Sequence, residues 1–232
     1  MRWSWRIGRL AGIGIYVHVT FLLIVLWVAF EEYSFGARAI LGALLSIVAL
    51  FAIVVLHELG HALMARRFGV MTRDIILLPI GGVARLERMP RNPRQELLVA
   101  LAGPAVNVAL ALALFAFVRL GGPLPAPDVY ELDPLVSTRA FLYQLMLVNI
   151  GLAVFNLLPA FPMDGGRVLR ALLAMRMSSY ARATGIAARI GRVLALLLGA
   201  AGLYGLRNPF WVLIALFVWM GAGSEAAAVK EA

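Results

Sequence analysis

The apolar run from Ala39 to Ala65 constrains this chain more than any other stretch. It exceeds the roughly 20 apolar residues a helix needs to cross a bilayer. Near its end it carries three ionisable side chains, in His57-Glu58-Leu59-Gly60-His61. Each such group in hydrocarbon costs roughly 2.5–3.5 kcal/mol on insertion scales and is rarely idle. At 3.6 residues per turn, positions four apart share one helix face, so the imidazoles of His57 and His61 project together. This is the H-E-x-x-H pattern, in which both histidines bind zinc and the glutamate between them acts as a base. The competing reading, a polar pair packed between helices, leaves that insertion cost without a purpose.

Composition agrees with a membrane setting. Of 232 residues, 62% are hydrophobic and 14% charged, against about 45–50% and 25% in soluble domains. The chain is read as an all-α polytopic, integral membrane protein. A net charge of +9 would suit nucleic acid, but the basic residues lie in blocks between apolar runs. Their roles are orientation in the bilayer and attraction to anionic head groups, so no nucleic-acid partner is expected. Cysteine is absent, so no disulfide forms and any metal is held by nitrogen and oxygen.

In chain order, Met1-Arg2-Trp3-Ser4-Trp5-Arg6 gives the first apolar run the basic flank of a signal sequence. No small-x-small site follows Phe30, so that run reads as a retained anchor. Residues 7–18 alternate glycine with branched residues and read as a strand or hairpin at the membrane surface. Six spans are expected, near 17–30, 38–67, 95–118, 139–158, 189–206 and 209–223, the last two close to the minimum length. Between the second and third, Pro79, Gly81, Gly82, Pro90 and Pro93 break the helical pattern. The pieces 74–78 and 83–86 there look like short strands. Residues 119–138 form a loop rich in proline and acids, and 167–177 an amphipathic piece at the interface. Residues 1–223 form the membrane domain, and 224–232 a polar tail.

Seventeen of the 21 Lys and Arg residues fall in the N-terminus, 66–94, 167–192 and the C-terminus. The positive-inside rule then puts both termini, and the strand segments after the second span, on the cytoplasmic side. A hydrolytic zinc usually takes three protein ligands, and two histidines leave one place open. Among the acids, Glu58 and Asp164 are tied to apolar spans, while Glu96 opens the third span, where a helix N-terminus favours a carboxylate. Asp164 follows the fourth span on the cytoplasmic side and can reach the depth of the histidines. Equally, it can be a turn residue before Gly165-Gly166. His18, at the start of the first span, reads as structural or interfacial.

These residues together resemble the site-2 protease family of intramembrane zinc metalloproteases. The resemblance covers nearly the whole chain. It rests on His57 to His61, on Gly81-Gly82, on Gly103-Pro104-Ala105-Val106-Asn107, and on the segment from Asn156-Leu157-Leu158-Pro159 to Met163-Asp164-Gly165-Gly166-Arg167. Met163 stands where the family usually has Leu, a swap close to neutral in volume. The resemblance implies one zinc ion held by His57, His61 and Asp164, with Glu58 as general base. It also implies that Asn156 hydrogen-bonds the substrate carbonyl; its other reading is a contact between helices. Asn107 and Asn149 read as such contacts. Substrates implied are membrane-embedded proteins, such as anti-sigma factors or tethered transcription regulators. Some relatives continue from a tail like 224–232 into paired nucleotide-sensing CBS domains, and others carry a PDZ domain, for which 119–138 is too short.

A helical substrate shields its amides and must unwind before it is cut. The strand-like segment 73–87 could pair with the unwound stretch or could merely connect two spans. Two other classes stay open at this stage: a transporter or channel using the His/Glu/Asp cluster as an ion path, and a membrane scaffold without catalysis. An intact Glu58, and the lack of an inverted repeat, argue against them. The sequence leaves the oligomeric state open.

Overall fold

The structure, a computed structural model, describes residues 3–79, 81–87, 92–124, 138–177, 179–205 and 207–228. The chain divides into two compact units: Met1–Met89 with Ala105–Ala153, and Pro90–Pro104 with Val154–Ala232. Most described residues are helical, and five helices are long and apolar enough to span a membrane.

In the first unit, β1 (Ser4–Leu10) and β2 (Ile13–His18) form a hairpin, followed by α1 (Phe21–Glu31) and the long α2 (Ala37–Arg67). Strands β3 (Thr72–Leu78) and β4 (Gly81–Leu86) come next. All four strands join one sheet in the order β1-β2-β3-β4, with β2 and β3 parallel and the outer pairs antiparallel. The sequence suggests a strand or hairpin over 7–18 and, apart from it, two short strands over 74–78 and 83–86. Pairing of β2 with β3 is a long-range event, and periodicity carries no signal for it. Leu10 pairs with Ile13, leaving Ala11 and Gly12 as a two-residue turn with φ of 49° and 88°. Positive φ at both positions is the turn whose twist matches that of the strands. Arg66, near the end of α2, donates to Ala11 O at 2.9 Å and ties this turn to the helix.

The core here is Ile13, Ile15, Ile75 and Leu77 of the sheet against Phe51, Val55 and Ala62 of α2. Phe21 of α1 meets Phe51 edge to face, centroids 4.6 Å apart. The sheet therefore lies along the half of α2 that carries His57, Glu58 and His61.

Expected first span and observed α1 differ. α1 has 11 residues, which at 1.5 Å each reach about 16 Å, half of a hydrocarbon core about 30 Å thick. Residues 17 and 18, expected in that span, belong to β2. The count of long apolar helices among the described residues is therefore five, not six.

Helices α3 (Pro93–Leu120) and α4 (Thr138–Asn156) contribute to both units. Asn92 Oδ1 accepts from Arg94 N at 2.9 Å, ahead of α3, whose first residue is Pro93. Proline suits a first helical position, where its missing N–H is not needed. Much of the expected 119–138 loop lies outside the described residues.

The second unit holds the start of α3, the segment after α4, and helices α5 (Asp164–Arg176), α6 (Tyr180–Ala200) and α7 (Pro209–Ala228). A π-helical turn, Ala201–Gly205, ends α6. The expected fifth span starts at 189, whereas α6 starts at Tyr180. The missed turns bury Ala183, Thr184, Ala187 and Ala188. Such small residues weigh little in hydropathy yet allow close helix contact. Residues 224–228 continue α7, so the first part of the expected polar tail is helical.

Candidate metal centre

Both imidazoles of α2 are buried, and so is Asp164. One ligand atom from each of His57, His61 and Asp164 lies within 4.8 Å of the others, so the three can hold one metal ion. The imidazoles face each other through their Nε2 atoms, 3.1 Å apart, with rings crossed at 80°. At that distance one nitrogen can donate a hydrogen to the other, or the two lone pairs can be turned on a shared cation. A carboxylate completing such a pair is the donor chemistry of a hydrolytic zinc site.

The tautomer of His57 follows from a chain of buried amides. Leu145 O can only accept, and it takes a hydrogen bond from Asn149 Nδ2 at 2.8 Å. Asn149 Oδ1 is thereby turned to accept from Asn107 Nδ2 at 3.3 Å. Asn107 Oδ1 in turn faces His57 Nδ1 at 2.6 Å and must accept its proton. His57 thus carries hydrogen on Nδ1 and offers the Nε2 lone pair. Orienting a ligating histidine through its second nitrogen is how protein surroundings fix a metal ligand. The sequence reading treats Asn107 and Asn149 as helix contacts. They are fully buried and they are such contacts, and through them the first imidazole is aimed.

Glu58 is half-buried, and its Oε2 accepts from Ala84 N of β4 at 3.1 Å. That contact explains Gly81-Gly82. Gly81 has φ of 135°, conformationally open to glycine alone, as β4 leaves its turn. A Cβ on Gly82 would stand 2.8 Å from Val54 Cγ1 and 2.9 Å from Glu58 Cγ. Only a residue without a side chain lets β4 lie this close to the glutamate.

Asp164 is set by the backbone before it. Leu158 N donates to Phe155 O, Ala160 N to Leu158 O, and Met163 N to Ala160 O. This compact segment leads into α5, with Asp164 in the first turn. A Cβ on Gly165 would overlap the carbonyl oxygens of Leu157 and Leu158, and one on Gly166 would lie 2.6 Å from Phe161 N. Both glycines are thus required for α5 to start under the segment that delivers its aspartate. Ala160 and Met163 pack with Ala195 of α6 and Val218 of α7, which anchors the segment. Asn156, the last residue of α4, is half-buried at the head of it. His18 lies elsewhere: its Nδ1 is 2.8 Å from Thr20 Oγ1 and accepts from Thr20 N, joining β2 to α1.

Comparison with known proteins gives the family of the chain. The family model of Peptidase family M50 matches residues 45–126 and 118–198. Zinc metalloprotease MJ0392 of Methanocaldococcus jannaschii is 39% identical over 230 residues, covering 99% of this chain and 62% of the relative. The chain thus spans less than two thirds of that protein's length. A solved structure, the Site-2 Protease from Methanocaldococcus jannaschii, superposes with a TM-score of 0.64 at 37% identity, covering 97% of this chain and 95% of that one. Stage IV sporulation protein FB of Bacillus subtilis is 28% identical over 137 residues, which cover 59% of this chain and 43% of that protein.

Proposed function

The chain belongs to peptidase family M50, the site-2 protease family of zinc metalloproteases, and from that premise we propose that it hydrolyses peptide bonds in or beside the transmembrane segments of membrane-anchored proteins. The observation that carries this reading is the buried His57/His61/Asp164 donor set, with Glu58 beside the two histidines on α2.

His57, His61 and Asp164 would hold the zinc, which when bound supplies a Lewis acid that polarises the scissile carbonyl and acidifies water. Glu58 takes a proton from the attacking water as its oxygen bonds to the carbonyl carbon. It then delivers that proton to the departing amide nitrogen as the C–N bond breaks. Before it takes that proton, its carboxylate is steadied by the amide of Ala84, which donates to Oε2. Asn156 donates its side-chain N–H to the oxygen on which negative charge develops.

The five apolar helices and the family make this an integral membrane protein. The bias of arginines puts both termini, and the sheet, on the cytoplasmic side. There, water reaches the site without crossing the bilayer. The outer edge of β4 offers an unwound substrate a pairing partner. Amides alternate in direction along a strand, so Gly82 and Leu86 present theirs on the same side as Ala84. A substrate strand added there would run beside Glu58. Membrane-tethered regulators and anti-sigma factors are the substrate class this chemistry fits.

Co-expression with a tagged single-span substrate tests the reading. Wild type releases the fragment, and Glu58→Gln and Asp164→Asn do not, a loss of at least about a hundredfold for a missing base. Equal cleavage by all three sinks the proposal.

A further inference from the structure

The second unit contains a buried ionic cluster that the chemistry above does not use. Arg170 lies well inside α5 and is almost fully buried, with side-chain exposure of 4%. Its Nε donates to Glu96 Oε1 at 2.8 Å, and its Nη2 reaches the same oxygen at 2.6 Å. Its Nη1 donates to Glu225 Oε2 at 2.7 Å. The guanidinium also lies over two rings, 5.0 Å from the centroid of Phe161 and 5.1 Å from that of Tyr180. Tyr180 Oη donates to Glu96 Oε1 at 3.2 Å. One side chain thus joins the first turn of α3, the segment before Asp164, the start of α6 and the last turns of α7.

Stability alone is a weak reason for this arrangement. Replacing a buried ion pair with apolar groups of similar volume is often neutral or favourable. Glu96 is fully buried and takes the donors of Arg170 and Tyr180 on Oε1, while Oε2 has no hydrogen-bond partner among the described residues. The carboxylate is placed for Arg170 rather than for its own satisfaction. Burial works against the charge on Arg170, but Glu96, Tyr180 and Glu225 together hold its pKa above the ordinary value, so it stays a cation. What this network provides is direction. A planar guanidinium gripped from two sides and stacked on rings cannot turn without losing a contact. A 13-residue helix transmits that constraint to its own first residue, Asp164.

We propose that Arg170 is a positioning residue for the metal-binding carboxylate: held by Glu96 of α3 and Glu225 of α7, it fixes the rotation and depth at which α5 presents Asp164. This rests on the reading of Asp164 as a metal ligand. Phe161 completes the device by joining the guanidinium to the segment that leads into α5.

The test is zinc affinity, measured by competition with a chromophoric chelator on the full chain in detergent, beside thermal denaturation of the zinc-free protein. Glu225 is the accessible handle, with 29% side-chain exposure. Glu225→Ala is expected to weaken zinc binding on the order of tenfold, within the range known for residues that orient ligands. Its zinc-free melting temperature should stay near that of wild type. Glu225→Gln, which keeps an acceptor oxygen, should recover part of the affinity. Arg170→Lys, which keeps charge but not the fork, should bind less tightly than wild type. A purely structural role predicts the reverse: a lower melting temperature and unchanged affinity in the folded protein. Asp164→Asn separates the two levels. If it loses zinc while Glu225→Ala and Arg170→Lys bind like wild type, the positioning role is overturned and the ligand reading stands. If Asp164→Asn itself binds like wild type, the ligand reading falls.

Discussion

At the scale of single residues, the centre depends on side chains that the H-E-x-x-H pattern does not contain. His57 and His61 are legible because their relation is local, fixed by the helical repeat. Asn107 is not: its partner His57 lies 50 positions away, and an asparagine in an apolar helix gives the same signal whether it joins two helices or aims a ligand. The buried amide chain from Leu145 O to His57 Nδ1 carries a consequence. Asn107→Leu keeps the volume but removes the acceptor, leaving a buried N–H unpaired and the imidazole free to turn. Zinc affinity should fall about 10–100-fold, read by chelator competition. Asn107→Asp, which keeps an acceptor oxygen, should fall less. Equal affinity in all three would mean that packing alone sets the ring. Glu58→Gln behaves oppositely, since Glu58 is not among the three donors: zinc content is expected to stay at wild-type level while cleavage is lost.

At the scale of elements, helices with strong apolar contrast are read to within a few residues, as α2, α3 and α4 show. The two shortfalls have physical causes. The α6 start is built on alanine, threonine and glycine, whose close packing hydropathy does not register. The first apolar run is divided between strand and helix because residues 13–18 find a partner in β3, far along the chain. The strands were visible one by one, and their union in a single sheet was not. That union matters for β4, which is an edge strand and whose Ala84 amide already serves Glu58. If a substrate strand pairs beside it, Leu86→Pro removes an outward amide while leaving Ala84 alone. Cleavage of a single-span substrate should drop about tenfold or more, the equivalent of roughly 1.4 kcal/mol or more, with zinc content unchanged. Undiminished cleavage would leave the hairpin as a connector.

At the scale of the whole molecule, orientation is the property on which water access and substrate side both depend. The charge bias that sets it belongs to the sequence as a whole rather than to any element. Arg66 and Arg67 close α2, a turn beyond His61, and Arg73 and Arg85 lie on the sheet that packs along the same end of that helix. If these arginines stay in the cytoplasm, the sheet and the metal donors of α2 lie near that surface, and the Glu31–Glu32 turn after α1 faces the other side. The absence of cysteine makes this directly measurable, because a single introduced thiol has no background. In intact cells, a membrane-impermeant maleimide is expected to label Glu31→Cys and to spare Arg73→Cys. After permeabilisation both should react, since both side chains are exposed. The opposite pattern would put the sheet outside. A cut made at that face would then release its fragment away from the cytoplasm, and tethered transcription regulators would no longer fit as substrates.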